Sequence, residues 1–543
     1  MKKFRFRSVI ALANSKLSIR FAAILLASST LISALLGLFR DRLLNSYYLS
    51  TYPSGIDAYT VAFTIPDFMF FILVSGALSV TFIPVFNQRL VAGNKKSAWE
   101  LSSSTLNIMA LVMLVVSVLI MIFADPLVRF VVGPGLNEAA TTLAINMMRV
   151  IAINPFLFAI ATVLSSMQQA VGRFFFFAMA PALYNIGILI GIVWFTNGIN
   201  IFGIQIFQGG IMGVALGVVL GAILQLLVSM IGLFGLGFDY NFKISWKNLG
   251  FRAVLKLLPA RGLDQGIDYV DSIVKTNLAS HMGSGVIRSY QQATTLRQMP
   301  ISLIGVAIST AFFPKLTEDV GEGNEDEYRM TLRSALRMII FIALPVTVIT
   351  YFSRGYVVSF IMNGGDALIA SILAAGVAVI FFSSVYHIAS RGFYARQDTK
   401  TPLIVSVIAI GLNIVLSIVF SMVWHWGPEG LAYATVIGAV LEVIILLAIL
   451  QVKNKGLLLN VRFWGSLLRM ALAGVITGCV AYSMTKFFPL MEGDDSFFVT
   501  FPKFVLIAVT AMIAYLVAGY FLNVEEVRPV VDKLKKIVFR NTK

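Results

Sequence analysis

Runs of about twenty apolar residues recur along the whole chain, with cores at Phe21 to Leu38, Ile108 to Phe123, Ile186 to Phe195, Leu403 to Val423 and Phe504 to Phe521. That is the length a helix needs to cross a bilayer. No remaining stretch is long enough for a sizeable soluble domain. Hydrophobic residues make up 58% and charged residues 13%, mean hydropathy is +0.87, and an ordinary soluble domain carries roughly 25% charge. The expectation is an all-α polytopic membrane protein.

A net charge of +16 invites a nucleic-acid reading, but its distribution argues against one. Basic residues gather in every second connection, as at Arg89, Lys95 and Lys96, at Lys243, Lys247 and Arg252, at Arg391, Arg396 and Lys400, and at Lys453, Lys455 and Arg462. The opposite connections, such as 196–210 and 425–429, are short and nearly free of positive charge, and one is acidic at Glu492, Asp494 and Asp495. This is the positive-inside pattern, and it predicts that both termini are cytoplasmic. The basic residues 1–20 read as a retained cytoplasmic leader, because no cleavage site follows a short apolar core.

Termini on one side require an even number of crossings, whereas hydropathy alone finds about 13 candidates. The missing span carries Arg261, Asp264, Asp268, Asp271 and Lys275, spaced three, four, three and four residues apart and hence on one helical face. One ionised side chain at mid-bilayer costs roughly 2.5 to 3.5 kcal/mol, so such a stripe must face protein or water. Counting about 256 to 281 as the seventh span gives 14 and restores the alternation of charge. The bland alternative is an amphipathic helix on the cytoplasmic surface, which would invert every later loop.

The chain also repeats itself. Ala77-Leu78-Ser79-Val80-Thr81-Phe82-Ile83-Pro84 matches Ala307-Ile308-Ser309-Thr310-Ala311-Phe312-Phe313-Pro314, and Gly213 to Gln225 matches Gly430 to Glu442. The matches fall in spans two and eight, and six and twelve, so two six-helix lobes share one orientation, an arrangement that places a substrate site near the midplane. The predicted division is a leader at 1–20, an N-lobe at 21–238 with spans one to six, a C-lobe at 239–452 with spans seven to twelve, and spans thirteen and fourteen with a basic tail at 453–543.

Nothing in the chain suggests enzymatic chemistry. His281, His387 and His425 lack ligand spacing, no Walker A loop is present, and a single cysteine, Cys479, excludes an internal disulfide and reads as a small core residue. Phe174 to Phe177 reads as a lipid-facing helix start. The acidic run from Glu318 to Glu327 reads as a solvated flexible loop.

Gly37-Leu38-Phe39-Arg40-Asp41-Arg42 is followed by Gly55-Ile56-Asp57-Ala58-Tyr59 and Phe63-Thr64-Ile65-Pro66. Later stands Gly392-Phe393-Tyr394-Ala395-Arg396-Gln397-Asp398-Thr399-Lys400-Thr401-Pro402, with Asn413 beyond it. With the basic, polar eighth span (Arg288, Tyr290, Gln291, Gln292, Thr294, Thr295, Arg297, Pro300), this order resembles the MurJ/MviN family over spans one to twelve. The resemblance implies a flippase for lipid II, the undecaprenyl-diphosphate-linked peptidoglycan precursor, in a bacterial cytoplasmic membrane. It also implies the multidrug and polysaccharide exporter superfamily, and a cavity between two lobes open alternately to each side. The family's cavity-edge Arg-Asp pair falls on Arg40 and Asp41, and its acid before the second span on Asp57. Its other charged positions are changed: an early arginine falls on Ala34, two arginines on Phe70 and Phe71, a glutamate on Ser75, and an Asp-Arg pair on Thr294 and Thr295.

A diphosphate needs convergent cationic donors, and Arg forks suit its oxygens. The expected clamp is Arg40, Arg261, Arg288 and Arg297, with Asp41 and Asp57 alongside. At each position a structural ion pair is the competing reading, and for Arg391, Arg396 and Lys400 topology alone explains the charge. The stripe holds three acids against two bases, so its excess carboxylate is protonated or holds a cation. Asp264 or Asp268 with Asn413 and Thr435 is the candidate cation site, and no resident cofactor is expected beyond coupling to sodium, protons or membrane potential. Expected partners are a lipid-linked saccharide diphosphate, membrane lipids and the cell-wall synthesis machinery, with no nucleic acid. Rival readings are an exporter of another lipid-linked oligosaccharide, a cation-coupled drug antiporter, a membrane glycosyltransferase and a scaffold.

Overall fold

A computed structural model describes residues 19–529 apart from 202, 203 and 492; some side chains along the helices, chiefly 75–80 and 257–268 save Gly266, also lie outside the described residues. Most of the basic leader, and the tail from 530 onward, therefore fall outside them. Packing divides the chain into two units, Met1–Arg288 and Ser289–Lys543.

The first unit contains α1 (Ile19–Tyr48), α2 (Pro53–Phe70), α3 (Gly76–Val91), α4 (Lys95–Pro126), α5 (Glu138–Ile151), α6 (Asn154–Ala170), α7 (Phe175–Val193), α8 (Met212–Ile231) and α9 (Leu249–Ser280). α10 (Val286–Ile301) runs across the boundary between the units. The second continues with α11 (Ala307–Gly321), α12 (Glu325–Phe352), α13 (Arg354–Ser359), α14 (Ala367–Gly376), α15 (Ala378–Ala395), α16 (Lys400–Ile418), α17 (Gly427–Lys453), α18 (Val461–Phe487) and α19 (Phe497–Phe521). One departure from helix is an antiparallel hairpin, β1 (Ile199–Ile201) with β2 (Ile204–Phe207), in the short connection before α8.

Eleven helical segments are long and apolar enough to cross a membrane, and the pair α14 and α15, bent by 42° where they meet, makes a twelfth. α1 and α9 are 30 and 32 residues long, and part of each one's side chains lies outside the described residues.

The sequence boundary at 238/239 follows the repeat, but packing divides the chain later, because α9 seats on α2 and α3. Phe71 stacks on Tyr269 with ring centroids 4.5 Å apart, and Gly266 leaves room for Ile72, which a Cβ would meet at 2.9 Å. At the far end Asn277 donates to the Val131 carbonyl at 2.7 Å, and the Gly135 amide donates to Ser280 Oγ at 2.9 Å.

The two units share internal anatomy. In the first, α2 carries Pro66, a π turn spans Phe71–Ser75, and α3 carries Pro84; in the second, α10 carries Pro300, a π turn spans Ser302–Val306, and α11 carries Pro314. A proline inside a helix removes one ladder hydrogen bond and relaxes the local winding. Each motif ends alike: Gly93 and Gly323 turn with φ of 74° and 71°, and Asn94 and Asn324 cap the next helix by accepting from Ser97 N and Glu327 N. Within the first unit α7 and α8 touch backbone to backbone, since a Cβ on Gly187 would lie 2.3 Å from Gly221 Cα. Small residues allow this approach where lipid offers no hydrophobic drive.

Two expectations are corrected. The acidic run 318–327 is not a flexible loop: Glu318 and Asp319 lie in α11, Glu325 to Glu327 open α12, and Asp319 is fully buried on Lys315 at 2.9 Å and Thr331 at 2.7 Å. The Lys315 ammonium and the Thr331 hydroxyl together outweigh charge repulsion there. Cys479 is exposed on α18 rather than in the core, because its helix turns an apolar face outward. Phe174–Phe177 does open a helix, α7, with Arg173 holding the carbonyls of Phe234 and Gly235.

The Gly392–Pro402 stretch ties four helix ends of the second unit together. Arg396 pairs with Glu325, donates to Asn454 Oδ1 at 2.9 Å and lies 4.3 Å over the Tyr328 ring. Tyr328 donates to the Gly392 carbonyl at 2.7 Å, and Asp398 accepts from Lys453 and from Thr401 N and Oγ1. Burial pushes the Asp398 carboxyl up, but the Lys453 ammonium and the Thr401 donors outweigh it and hold it at about 2. A group depressed below its ordinary 3.8 contributes stability above that value and loses it as pH falls toward 2. Thermal unfolding in detergent should therefore show Asp398→Asn less stable than the parent at pH 7, with the two converging near pH 2; a constant gap would rule the tie out.

Candidate functional site: buried charge inside the two units

In the first unit the sequence brings two arginines onto one carboxylate. Arg40 and Asp41 are neighbours on α1, and Arg40 places Nε and Nη2 3.1 and 3.0 Å from Asp41 Oδ1. Arg288, at the start of α10, adds Nη2 at 3.2 Å to the same oxygen and donates Nε to Asn45 Oδ1 at 2.9 Å. Asn45 follows Asp41 by four residues on α1 and so shares its helical face. Asn185 of α7 accepts from Arg40 Nη1 at 3.0 Å. Asp57 accepts from the amides of Gly285 and Arg288, the latter at 2.8 Å, so it caps α10 from outside that helix, where the dipole favours an anion. Asp41, Asn45, Asp57 and Arg288 are all buried. Arg40, Asp41, Asp57 and Arg288 thus form one cluster of two arginines and two aspartates, balanced in formal charge.

Arg297 is arranged differently. Its side chain is 3% exposed, donates Nη2 to Thr294 Oγ1 at 2.9 Å and approaches the Gly376 carbonyl at 3.4 Å. Its Nε has no partner, and no carboxylate pairs with it among the described residues. Gly376 ends α14 at the 42° bend; a Cβ there would lie 1.8 Å from Nη1. The guanidinium is therefore lodged in the break of a bent helix pair.

Along α9, Lys275 is buried and pairs with Asp271 at 2.7 Å, one turn apart. The side chains of Arg261, Asp264 and Asp268 lie outside the described residues. Of the other candidate cation ligands, Asn413 is buried beneath Gly438 and accepts from Ser417 Oγ at 3.4 Å. Thr435 donates to the Leu431 carbonyl and meets the Tyr290 hydroxyl at 3.5 Å. No three His, Cys, Asp or Glu side chains gather as metal ligands among the described residues.

Positions where the resemblance expects arginine hold uncharged residues. Phe70 meets Phe158 edge-on at 5.5 Å and Phe71 stacks on Tyr269, Ala34 is exposed, and the Thr295 hydroxyl bonds its own helix at Gln291. Three polar groups escaped the sequence reading: Asn185, Asp67 on α2, and Glu442 on α17, which accepts from Ser406 at 2.6 Å. Each interrupts an apolar run, and that interruption was the available signal.

Long apolar helices enclosing buried ion pairs define a many-span α-helical membrane protein of the transporter class. The chain belongs to the lipid II flippase MurJ family, whose sequence model matches residues 51–501. Among curated relatives, the probable lipid II flippase MurJ of Bdellovibrio bacteriovorus is 25% identical over 518 residues, covering 93% of this chain and 95% of that one. The lipid II flippase MurJ of Burkholderia cenocepacia is 27% identical over 449 residues, covering 80% and 84%. Among solved structures, a lipid II flippase MurJ in an inward closed conformation superposes with a TM-score of 0.73 at 24% identity, over 92% of this chain and 99% of that chain. An inward-facing multidrug resistance MATE transporter of the MOP superfamily follows with 0.65 at 17%, over 80% and 98%. These likenesses place the fold.

Proposed function

We infer that this chain is a lipid II flippase, carrying the undecaprenyl-diphosphate-linked precursor from the inner to the outer leaflet of a bacterial cytoplasmic membrane by alternating access. Family membership supports the cargo. The observation that carries the mechanism is Arg297, a buried guanidinium with no carboxylate partner among the described residues and an idle Nε donor. A diphosphate supplies what Arg297 lacks, oxygens able to accept several N–H bonds at once. Arg40 and Arg288 are already satisfied by Asp41, so they shape the N-terminal unit and yield donors only if that cluster rearranges. The side chain of Arg261, expected as a further clamp residue, lies outside the described residues.

Counting α1 and α9 with the twelve apolar candidates gives fourteen crossings, in keeping with two lobes of six and a C-terminal pair, and with both termini cytoplasmic. Sodium coupling would need Asp264 or Asp268 beside Asn413 and Thr435. The cell-wall machinery is the partner that consumes the product. The test is complementation: cells depleted of their own lipid II flippase and given this chain should regain lipid II on the outer leaflet. Abundant, well-inserted protein without that recovery would redirect the reading to another lipid-linked saccharide.

A further inference from the structure

Asp67 is a carboxylate in the middle of an apolar helix, apart from the Arg40–Asp41–Arg288 cluster. It stands directly after Pro66, inside a segment long and apolar enough to span a membrane, and four residues before the π turn Phe71–Ser75. It is partly buried and makes no hydrogen bond or ion pair among the described residues. Its own helix places Phe63, Phe70 and Phe71 on neighbouring positions at spacings of three and four. Around it Phe70 packs on Phe158, Phe158 on Tyr184 at 5.3 Å, and Phe71 on Tyr269. The surroundings are aromatic and weakly polar.

The ionisable groups that reach Asp67 are Tyr59, two turns earlier on α2, and Tyr184 on α7. Arg40 of α1 acts on both tyrosines and Asp41 and Arg288 act on Tyr59, but Asp41 is engaged with Arg40 and with Arg288. α6 brings no charged side chain. On α4, the π turn that follows it and α5, Asp125, Arg129 and Glu138 close on one another, Arg149 donates to the Met121 carbonyl, and Lys95, Lys96 and Glu100 stand at the start of α4. On α9, Asp271 and Lys275 pair together, Arg252 and Lys256 are exposed, and the side chains of Arg261, Asp264 and Asp268 lie outside the described residues.

An ionised carboxylate with neither donor nor cation is disfavoured inside a membrane, and the group relieves this by taking a proton. We propose that Asp67 is an intramembrane proton-binding site, loading one proton to become the neutral acid and releasing it to the other side during the transport cycle. No other bond is made or broken. Its position at a proline break followed by a π turn places the proton where the helix is least regular, and such turns recur at functional sites. A proton held there would make flipping respond to pH.

The test is infrared spectroscopy of the purified protein in lipid vesicles at neutral pH, which needs no cargo and so stands apart from the lipid II reading. The wild type should show the carbonyl stretch of a protonated, weakly hydrated carboxyl; Asp67→Asn should lose it and Asp67→Glu should keep it at a shifted frequency. In depleted cells, outer-leaflet lipid II should depend on external pH with the wild type and lose that dependence with Asp67→Asn. A band unchanged by Asp67→Asn overturns the assignment. So does a band that appears only when sodium is withdrawn, since that result would give the site to the metal cation.

Discussion

Arg297→Gln should stop lipid II movement without harming the fold. A charged hydrogen bond to phosphate is worth about 1.5 to 3 kcal/mol, so losing the guanidinium fork should slow outer-leaflet appearance roughly a hundredfold or more. Stability should move the other way or stay level. A buried cation with an idle Nε is costly to the resting protein, and a neutral amide of similar reach removes that cost. The paired measurement is lipid II exposure in depleted cells and the unfolding temperature in detergent. Normal transport, or a large fall in unfolding temperature, would each show that Arg297 serves structure rather than cargo.

Asp41→Ala should have the largest effect on folding. Asp41 Oδ1 holds both Arg40 and Arg288 in a buried site, and removing one partner of a buried ion pair typically costs about 3 to 5 kcal/mol, because the other charge is left unmatched. Here two guanidinia lose their carboxylate together. The variant should appear at much reduced folded yield, and adding Arg40→Met should recover part of the lost stability by removing one of the two stranded charges. Equal yields for Asp41→Ala and the parent would mean that water or lipid phosphate already satisfies both arginines.

Much of the fold was legible because hydropathy, helix period and the repeat all speak through residue order. The match around Pro84 and Pro314 was legible as a repeat, and the two corresponding helices each hold that proline inside them. The acidic run was misread because local charge says loop, whereas Asp319 is neutralised by Lys315 one turn back and hydrogen-bonded by Thr331 on the next helix. The site was legible as residue types but not as pairings. Arg40, Arg288 and Arg297 look alike in sequence, yet two are held by Asp41 and one is not. That difference rests on contacts across 247 positions, from Arg288 to Asp41, and on a glycine, Gly376, whose missing Cβ admits the Arg297 fork. Neither leaves a periodic trace.

The π turns at Phe71–Ser75 and Ser302–Val306 amount to stored rotation. An α-helix advances 3.6 residues per turn, so one surplus residue held in a wide turn offsets everything beyond it by about 100°. Moving that surplus along the helix, or expelling it, would swing the far segment's side chains to a new bearing while most of its ladder stays bonded. Each bundle thus contains a helix whose two ends are angularly decoupled, a gear that slips by single teeth rather than a rigid shaft.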